Sequence, residues 1–227
     1  MNESSPEILS SQDIGALVGL VNRQRLSEAE HRARALLRRC PNAEILWKIL
    51  GVALLRQGKD ALPALRRSSE LLPNDAEAHG NLDAANAMKA LGRALDAVAL
   101  YQRALQLDPR LLEAQNNLGN AFLELRRHDE AARCYRLALA LQPDNAQVHC
   151  NLSNALRQLG QLDEAMISSR RAIALDPGLS VAHNSLGLIL AALGQCEQAA
   201  ASYRRCLALN PDDVEAIGNL AAALRGP

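Results

Sequence analysis

Threonine is absent from this chain of 227 residues, and valine and isoleucine are few. The residues that favour strands are therefore nearly missing, and a sheet has little to be built from. Aromatic residues make up only 2%, so the 48% of apolar residues must form a core of Leu and Ala. Charge of one sign is not in excess: the formal net charge is zero, and Lys occurs only as Lys48, Lys59 and Lys89. No bulk attraction to nucleic acid or to an anionic membrane is expected. The cysteines Cys40, Cys134, Cys150, Cys196 and Cys206 form no C-x-x-C pair and no zinc spacing, and on helices they read as small apolar residues. Long apolar runs are missing too. The acidic start, Met1 to Glu7, carries no signal-peptide pattern, no membrane span is expected, and the cytoplasm is the default location.

What is present is dominated by Ala, Leu, Arg, Gln and Glu, all strong helix formers. They recur on a fixed beat. Pro109, Pro143, Pro177 and Pro211 stand 34 residues apart, each two residues after a Leu (Leu107, Leu141, Leu175, Leu209). Tyr101, Tyr135 and Tyr203 keep the same phase, with Ser169 in the gap. A period of this size means one supersecondary unit stacked many times.

On that period, residues 1–9 read as a disordered N-terminus and 10–227 as a single array. Its repeats are 10–43 (degenerate), 44–75, 76–111, 112–145, 146–179 and 180–213, followed by a lone terminal helix, 214–225. The second is two residues short between Gly58 and Pro73, and the third is two long around Asp83–Met88, so later repeats stay in phase. Each repeat carries apolar spacing for two helices of roughly 13 residues. Gly58, Gly92, Gly160 and Gly194 fall where the first helix should stop, a position suited to the left-handed C-cap. The proline of each repeat ends its second helix. Small pairs, Gly119 with Ala131 and Gly187 with Ala199, are expected to let the two helices approach closely.

Trp47-x-x-Leu50-Gly51, the spaced Ala-x-x-x-Tyr pairs and the proline ladder together resemble the tetratricopeptide repeat (TPR) family over roughly residues 10–225. The resemblance implies an all-α fold, a right-handed α-solenoid of tandem helix-turn-helix repeats. It also implies that first helices line a concave face and second helices form the back. The residue before the Leu of each first helix would then point into the groove. Those residues are Asn81, Asn117, Asn151, Ser185 and Asn219, with Ile49 departing, and a second row is Asn120 and Asn154. Such a ladder resembles the superhelix of O-linked N-acetylglucosamine transferases, where asparagines grip the backbone of extended peptides. An amide side chain offers donor and acceptor together, so it can pair a peptide group whatever the side chains around it. The bland alternative is that Asn-Leu is a common family choice that keeps the groove hydrated.

Other chemistry finds less support. A carboxylate clamp of the kind used by chaperone-binding members needs Lys beside the asparagines; here only Arg157 is near in sequence, and a planar fork does not replace a point charge. His79, His149 and His183 share a phase with Trp47, Gln115 and Ile217. Helices 8–10 Å apart cannot bring successive imidazoles onto one zinc at about 2.0–2.1 Å, so interhelical packing with a hydrogen bond is expected and no metal site. There is no phosphate loop, no G-x-S-x-G and no H-E-x-x-H. The leading reading is a non-catalytic interaction scaffold without cofactor, binding a protein or extended peptide segment. A second makes the chain the substrate-selecting front of a glycosyltransferase whose catalytic domain lies outside it. A third is self-association through the 214–225 helix, where Ile217, Leu220, Ala221 and Leu224 form an apolar stripe.

Overall fold

The computed structural model describes residues 9–71, 81, 83–86, 88–89 and 92–225. Residues 1–8 of the expected disordered start, and His79, lie outside the described residues. Among the described residues every regular element is a helix. In chain order these are α1 (Ser11–Asn22), α2 (Leu26–Arg39), α3 (Glu44–Arg56), α4 (Leu62–Glu70), α5 (Ala94–Leu107), α6 (Leu112–Glu124), α7 (His128–Leu141), α8 (Ala146–Gln158), α9 (Leu162–Leu175), α10 (Ser180–Ala192), α11 (Cys196–Leu209) and α12 (Val214–Arg225). The further helical residues 81, 83–86 and 88–89 precede α5. Among the described residues no helix is long and apolar enough to cross a membrane.

The helices alternate as first and second members of tandem helix-turn-helix repeats, the arrangement of an α-solenoid. The second helices α5, α7, α9 and α11 are each 14 residues long. In contrast α4 has 9, the shortening announced by the two missing residues before Pro73. Contacts gather the chain into two compact units, Met1–Ala114 and Gln115–Pro227.

Two punctuation devices recur. The first ends each first helix. Gly58, Gly92, Gly160 and Gly194 take φ of 69°, 72°, 76° and 74°, the left-handed region that glycine enters without steric cost. Gln24 and Arg126 stand at the same repeat position and are forced into it at φ 62° and 57°. The second device ends each second helix. The residues before proline, Asp108, Gln142, Asp176 and Asn210, all leave the helix at φ between −133° and −138° with ψ of 88–97°. That is the extended conformation which the proline ring imposes on its predecessor. Asp108 and Asp176 then accept hydrogen bonds from the amides of Arg110 and Gly178, each 2.9 Å, and tighten the turn.

The core is laminated from small and large residues. A β-carbon on Gly119 would stand 2.6 Å from the Tyr135 ring, one on Gly187 would stand 2.4 Å from the Tyr203 ring, and one on Gly51 would stand 2.4 Å from Leu65. The close approach expected at Gly119 and Gly187 is therefore real, and Gly51 shares it, but what fills the space is the large residue of the second helix. Ala131 and Ala199, the expected partners, are buried beside it. The fully buried rings of Tyr101, Tyr135 and Tyr203 are the largest core side chains. Cys134, Cys150 and Cys206 are buried as small residues, and burial pushes the Cys134 thiol up to about 11.

Among the described residues of the first unit one charged side chain, Glu30, is buried. Glu30 accepts from Lys59 at 2.7 Å and from Gln57 at 3.0 Å, and pairs with Arg34 at 2.8 Å. The Lys59 hydrogen bond holds its carboxyl below the ordinary value of 4.5, against the opposing pull of burial. A depressed carboxyl stabilises the fold above its unfolded-state value, and that stabilisation is lost as pH falls through the folded-state value.

Two predictions come from these features. Gly160→Ala should cost about 1 kcal/mol, whereas Arg126→Gly should raise stability by about 0.5–1 kcal/mol. Urea unfolding of both variants checks this; a loss of stability in Arg126→Gly would contradict the strain assigned there. Between pH 5 and pH 3 the urea midpoint of the wild type should fall more steeply than that of Glu30→Gln, and parallel curves would remove Glu30 from the acid response.

Candidate functional site

The second unit places the first helices α6, α8, α10 and α12 in sequence along one side, so equivalent positions recur from helix to helix. A position and the residue 35 places before it meet at three successive junctions. Asn151 Nδ2 donates to Asn116 Oδ1 at 3.0 Å, Ser185 Oγ lies 3.7 Å from Cys150 Sγ, and Asn219 Nδ2 donates to Asn184 Oδ1 at 3.3 Å. The ladder residues Asn151, Ser185 and Asn219 are thus linked sideways, each to a row that the sequence reading left out: Asn116, Cys150, Asn184. The signal was available, since these residues sit one place before Asn117, Asn151 and Ser185.

Around α6 and α8 the links join into a network. Asn151 Nδ2 also reaches Asn120 Oδ1 at 3.3 Å, and Asn151 Oδ1 accepts from Gln147 at 3.0 Å. Asn116 Nδ2 donates to Asn117 Oδ1 at 3.3 Å. From the neighbouring second helix, Tyr135 Oη donates to Asn120 Oδ1 at 2.7 Å. Burial raises the Tyr135 phenol well above its ordinary range, so it stays a protonated donor. Asn120 Oδ1 therefore accepts twice from the protein, and the donor capacity of the amide resides in its Nδ2. Arg157 donates to Asn154 Oδ1 at 3.0 Å. Asn117, Asn120, Asn151, Asn154, Ser185 and Asn219 are all half-buried, accessible to a ligand.

Asn81 belongs to the other unit and differs. It is 2% exposed and lines a cleft of about 540 Å³ with Leu62, Arg66 and Glu70 of α4 and Leu100 and Arg103 of α5. The same unit repeats the tyrosine buttress, Tyr101 Oη donating to Asn86 Oδ1 at 2.6 Å. Fifteen residues separate each pair, a spacing legible in the sequence once the bond is known.

The repeat centred on α8 and α9 is built differently. Ser169 replaces the tyrosine, and Ser153 replaces the facing glycine, so volume moves from the second helix to the first. Both serines are fully buried. Ser153 Oγ donates to the Cys150 carbonyl at 2.8 Å, and Ser169 Oγ has no partner. Without a tyrosine, the Asn154 amide is held by Arg157 instead.

The ring positions expected to pack with a hydrogen bond do make one, at the turn. Trp47 Nε1 donates to the Pro41 carbonyl at 2.7 Å, His149 Nε2 to that of Pro143 at 2.8 Å, and His183 Nε2 to that of Pro177 at 3.1 Å. A carbonyl only accepts, so Nε2 carries the proton in both histidines. Among the described residues no group of three His, Cys, Asp or Glu side chains could hold a metal.

These repeats match known family profiles. One described as "Tetratricopeptide repeat" covers residues 19–76 and 116–180, more than half the chain; a "TPR repeat" profile covers 85–126, and another "Tetratricopeptide repeat" profile covers 180–223. The chain belongs to the tetratricopeptide repeat family. Among solved structures it is similar to MamA 41-end from Desulfovibrio magneticus RS-1, at 22% identity over 75% of this chain and 97% of that one, with a TM-score of 0.64. It is similar to YrrB, titled a TPR protein with an unusual peptide-binding site, at 19% identity over 82% and 96%, with a TM-score of 0.63. The Cut9-Hcn1 assembly of the APC/C gives 19% identity over 93% of this chain and 42% of that one, with a TM-score of 0.63. At such identities the likeness is one of fold. No curated protein matches the sequence.

The exchange of Ser153 and Ser169 for glycine and tyrosine is testable as a pair. Ser169→Tyr alone should destabilise by about 1–3 kcal/mol, because the ring meets the Ser153 side chain. Adding Ser153→Gly should recover most of that loss, a coupling of at least about 1 kcal/mol in a double-mutant cycle by urea unfolding. Additive single effects would show that the two sites do not share one space.

Proposed function

We propose that this TPR chain is a protein-interaction scaffold that holds an extended peptide segment along the concave face formed by its first helices. The segment would lie across Asn117, Asn120, Asn151, Asn154, Ser185 and Asn219, with Asn81 belonging to the same repeat position in the first unit. The observation that carries this reading is the fixed polarity of the amides. Asn120 and Asn154 have their oxygens engaged by Tyr135, Asn151 and Arg157, so each keeps its amide N–H as the group to donate to a ligand. A row of such donors suits the carbonyl groups that an extended backbone presents at regular intervals.

The same surface argues for modest affinity. Lacking aromatic anchors, it has none of the deep pockets that concentrate binding energy in a few contacts. Binding should instead be spread over several repeats and tolerate varied side chains in the ligand.

The test is Asn117→Ala combined with Asn154→Ala. Neither residue carries the tyrosine buttress, so thermal unfolding should move little. Each lost hydrogen bond is worth roughly 0.5–1.5 kcal/mol, so the affinity for a peptide selected from a displayed random library should fall about ten- to hundredfold. Fluorescence anisotropy with the labelled peptide reads this directly. Equal affinity in variant and wild type would sink the reading.

A further inference from the structure

We infer that α10 and Tyr203 form a subsite that selects one residue of the bound peptide: its aliphatic side chain lies on Val181 and Leu188, and a backbone carbonyl beside it accepts from the Tyr203 hydroxyl. The inference rests on the peptide-binding reading and adds to it the position at which ligand side chains are sorted.

The tyrosine carries the argument. Tyr101 Oη donates to Asn86 and Tyr135 Oη to Asn120, each fifteen residues earlier in the chain. Fifteen residues before Tyr203 stands Leu188, which has no side-chain acceptor. The Tyr203 ring lies against Gly187 as the Tyr135 ring lies against Gly119, and Leu188 packs in the same apolar cluster. The hydroxyl of Tyr203 therefore arrives where the other repeats hold an amide. Tyr203 is 1% exposed, and among the described residues its hydroxyl has no hydrogen-bond partner. The unpartnered Ser169 oxygen is closed off from the surface, whereas the Tyr203 oxygen is not. Burial raises the phenol above its ordinary value, so it stays a protonated donor. A polar group left unmatched in such surroundings gains most from an acceptor brought by a ligand.

The face around it changes character at the same place. Gln147, Asn151 and Asn154 of α8 are followed 34 residues later by Val181, Ser185 and Leu188 of α10. Val181 is 46% exposed, and Ser185 and Leu188 are half-buried. On α12 the equivalent residues are Glu215, Asn219 and Ala222, so the aliphatic pair is confined to α10. First helices flank this stretch on both sides, and it is not an end of the array. Over α6 and α8 the amides grip backbone and leave ligand side chains free to vary. Over α10 an apolar side chain gains by leaving water, and a polar one gains nothing. The acceptor is neutral: Arg157 of α8 and Glu215 of α12 act on the phenol with opposite sign, so no net charge draws a carboxylate there.

Peptides selected on the wild type from a displayed random library test this, with anisotropy for affinity and urea unfolding for stability. The selected sequences should share a Leu, Ile or Val at one position, and changing it to Ser should weaken binding about tenfold. Tyr203→Phe should weaken binding about two- to tenfold without lowering the urea midpoint, since no internal bond is lost. Leu188→Asn gives the hydroxyl the partner that Asn120 gives Tyr135. Selection on that variant should lose the aliphatic preference, and adding Tyr203→Phe to it should cost no further affinity. Unchanged affinity in Tyr203→Phe overturns the inference, and so does an aliphatic preference that survives Leu188→Asn. If either occurs while Asn117→Ala with Asn154→Ala still weakens binding, the subsite fails and the backbone reading stands. A chain that selects no peptide overturns both.

Discussion

Everything in this architecture depends on how closely the first and second helix of a repeat can approach. The distance is set where a glycine or alanine of the first helix receives the large side chain of the second: Gly51 against Leu65, Gly119 against Tyr135, Gly187 against Tyr203. A chain with so few aromatic residues spends its tyrosines on this one contact. The result is a stiff lamination whose geometry repeats because the same contact repeats. For Tyr101 and Tyr135 the hydroxyl also reaches an asparagine of the first helix, Asn86 and Asn120, and orients it. Packing and the chemistry of the exposed face are therefore two ends of one side chain.

The repeat centred on Ser153 and Ser169 shows the same rule under a different choice. Removing the ring and adding a small side chain opposite returns only part of the lost volume; it also loses the buttress and leaves a buried hydroxyl without a partner. The face nonetheless keeps an asparagine, Asn154, now held by an arginine that is itself on the surface. At this repeat position the asparagine is thus held in two ways, by tyrosine at Asn86 and Asn120 and by arginine at Asn154.

Much of this was legible in the sequence, because punctuation acts locally. Proline dictates the conformation of its predecessor, and glycine marks the left-handed turn, so the helix ends at 58, 92, 160 and 194 and at each proline could be placed without tertiary knowledge. The stop at Arg126 was harder, since no residue type advertises it. The sideways row of Asn116, Cys150 and Asn184 was missed for another reason. Successive residues on a helix point about 100° apart, so naming the ladder at one position says little about what its neighbour touches until adjacent helices are packed. Asn81 illustrates the same limit: it keeps the ladder phase but is buried beside a shortened second helix, α4.

The ring-to-carbonyl bonds from Trp47, His149 and His183 each bind the start of one repeat to the proline that closes the repeat before it. They act as latches between modules whose stability is otherwise a sum of nearest-neighbour terms. At the last junction the latch position holds Ile217, which has no donor to offer Pro211. The latches therefore hold the modules unevenly, and a junction without the bond is held less firmly than one that makes it.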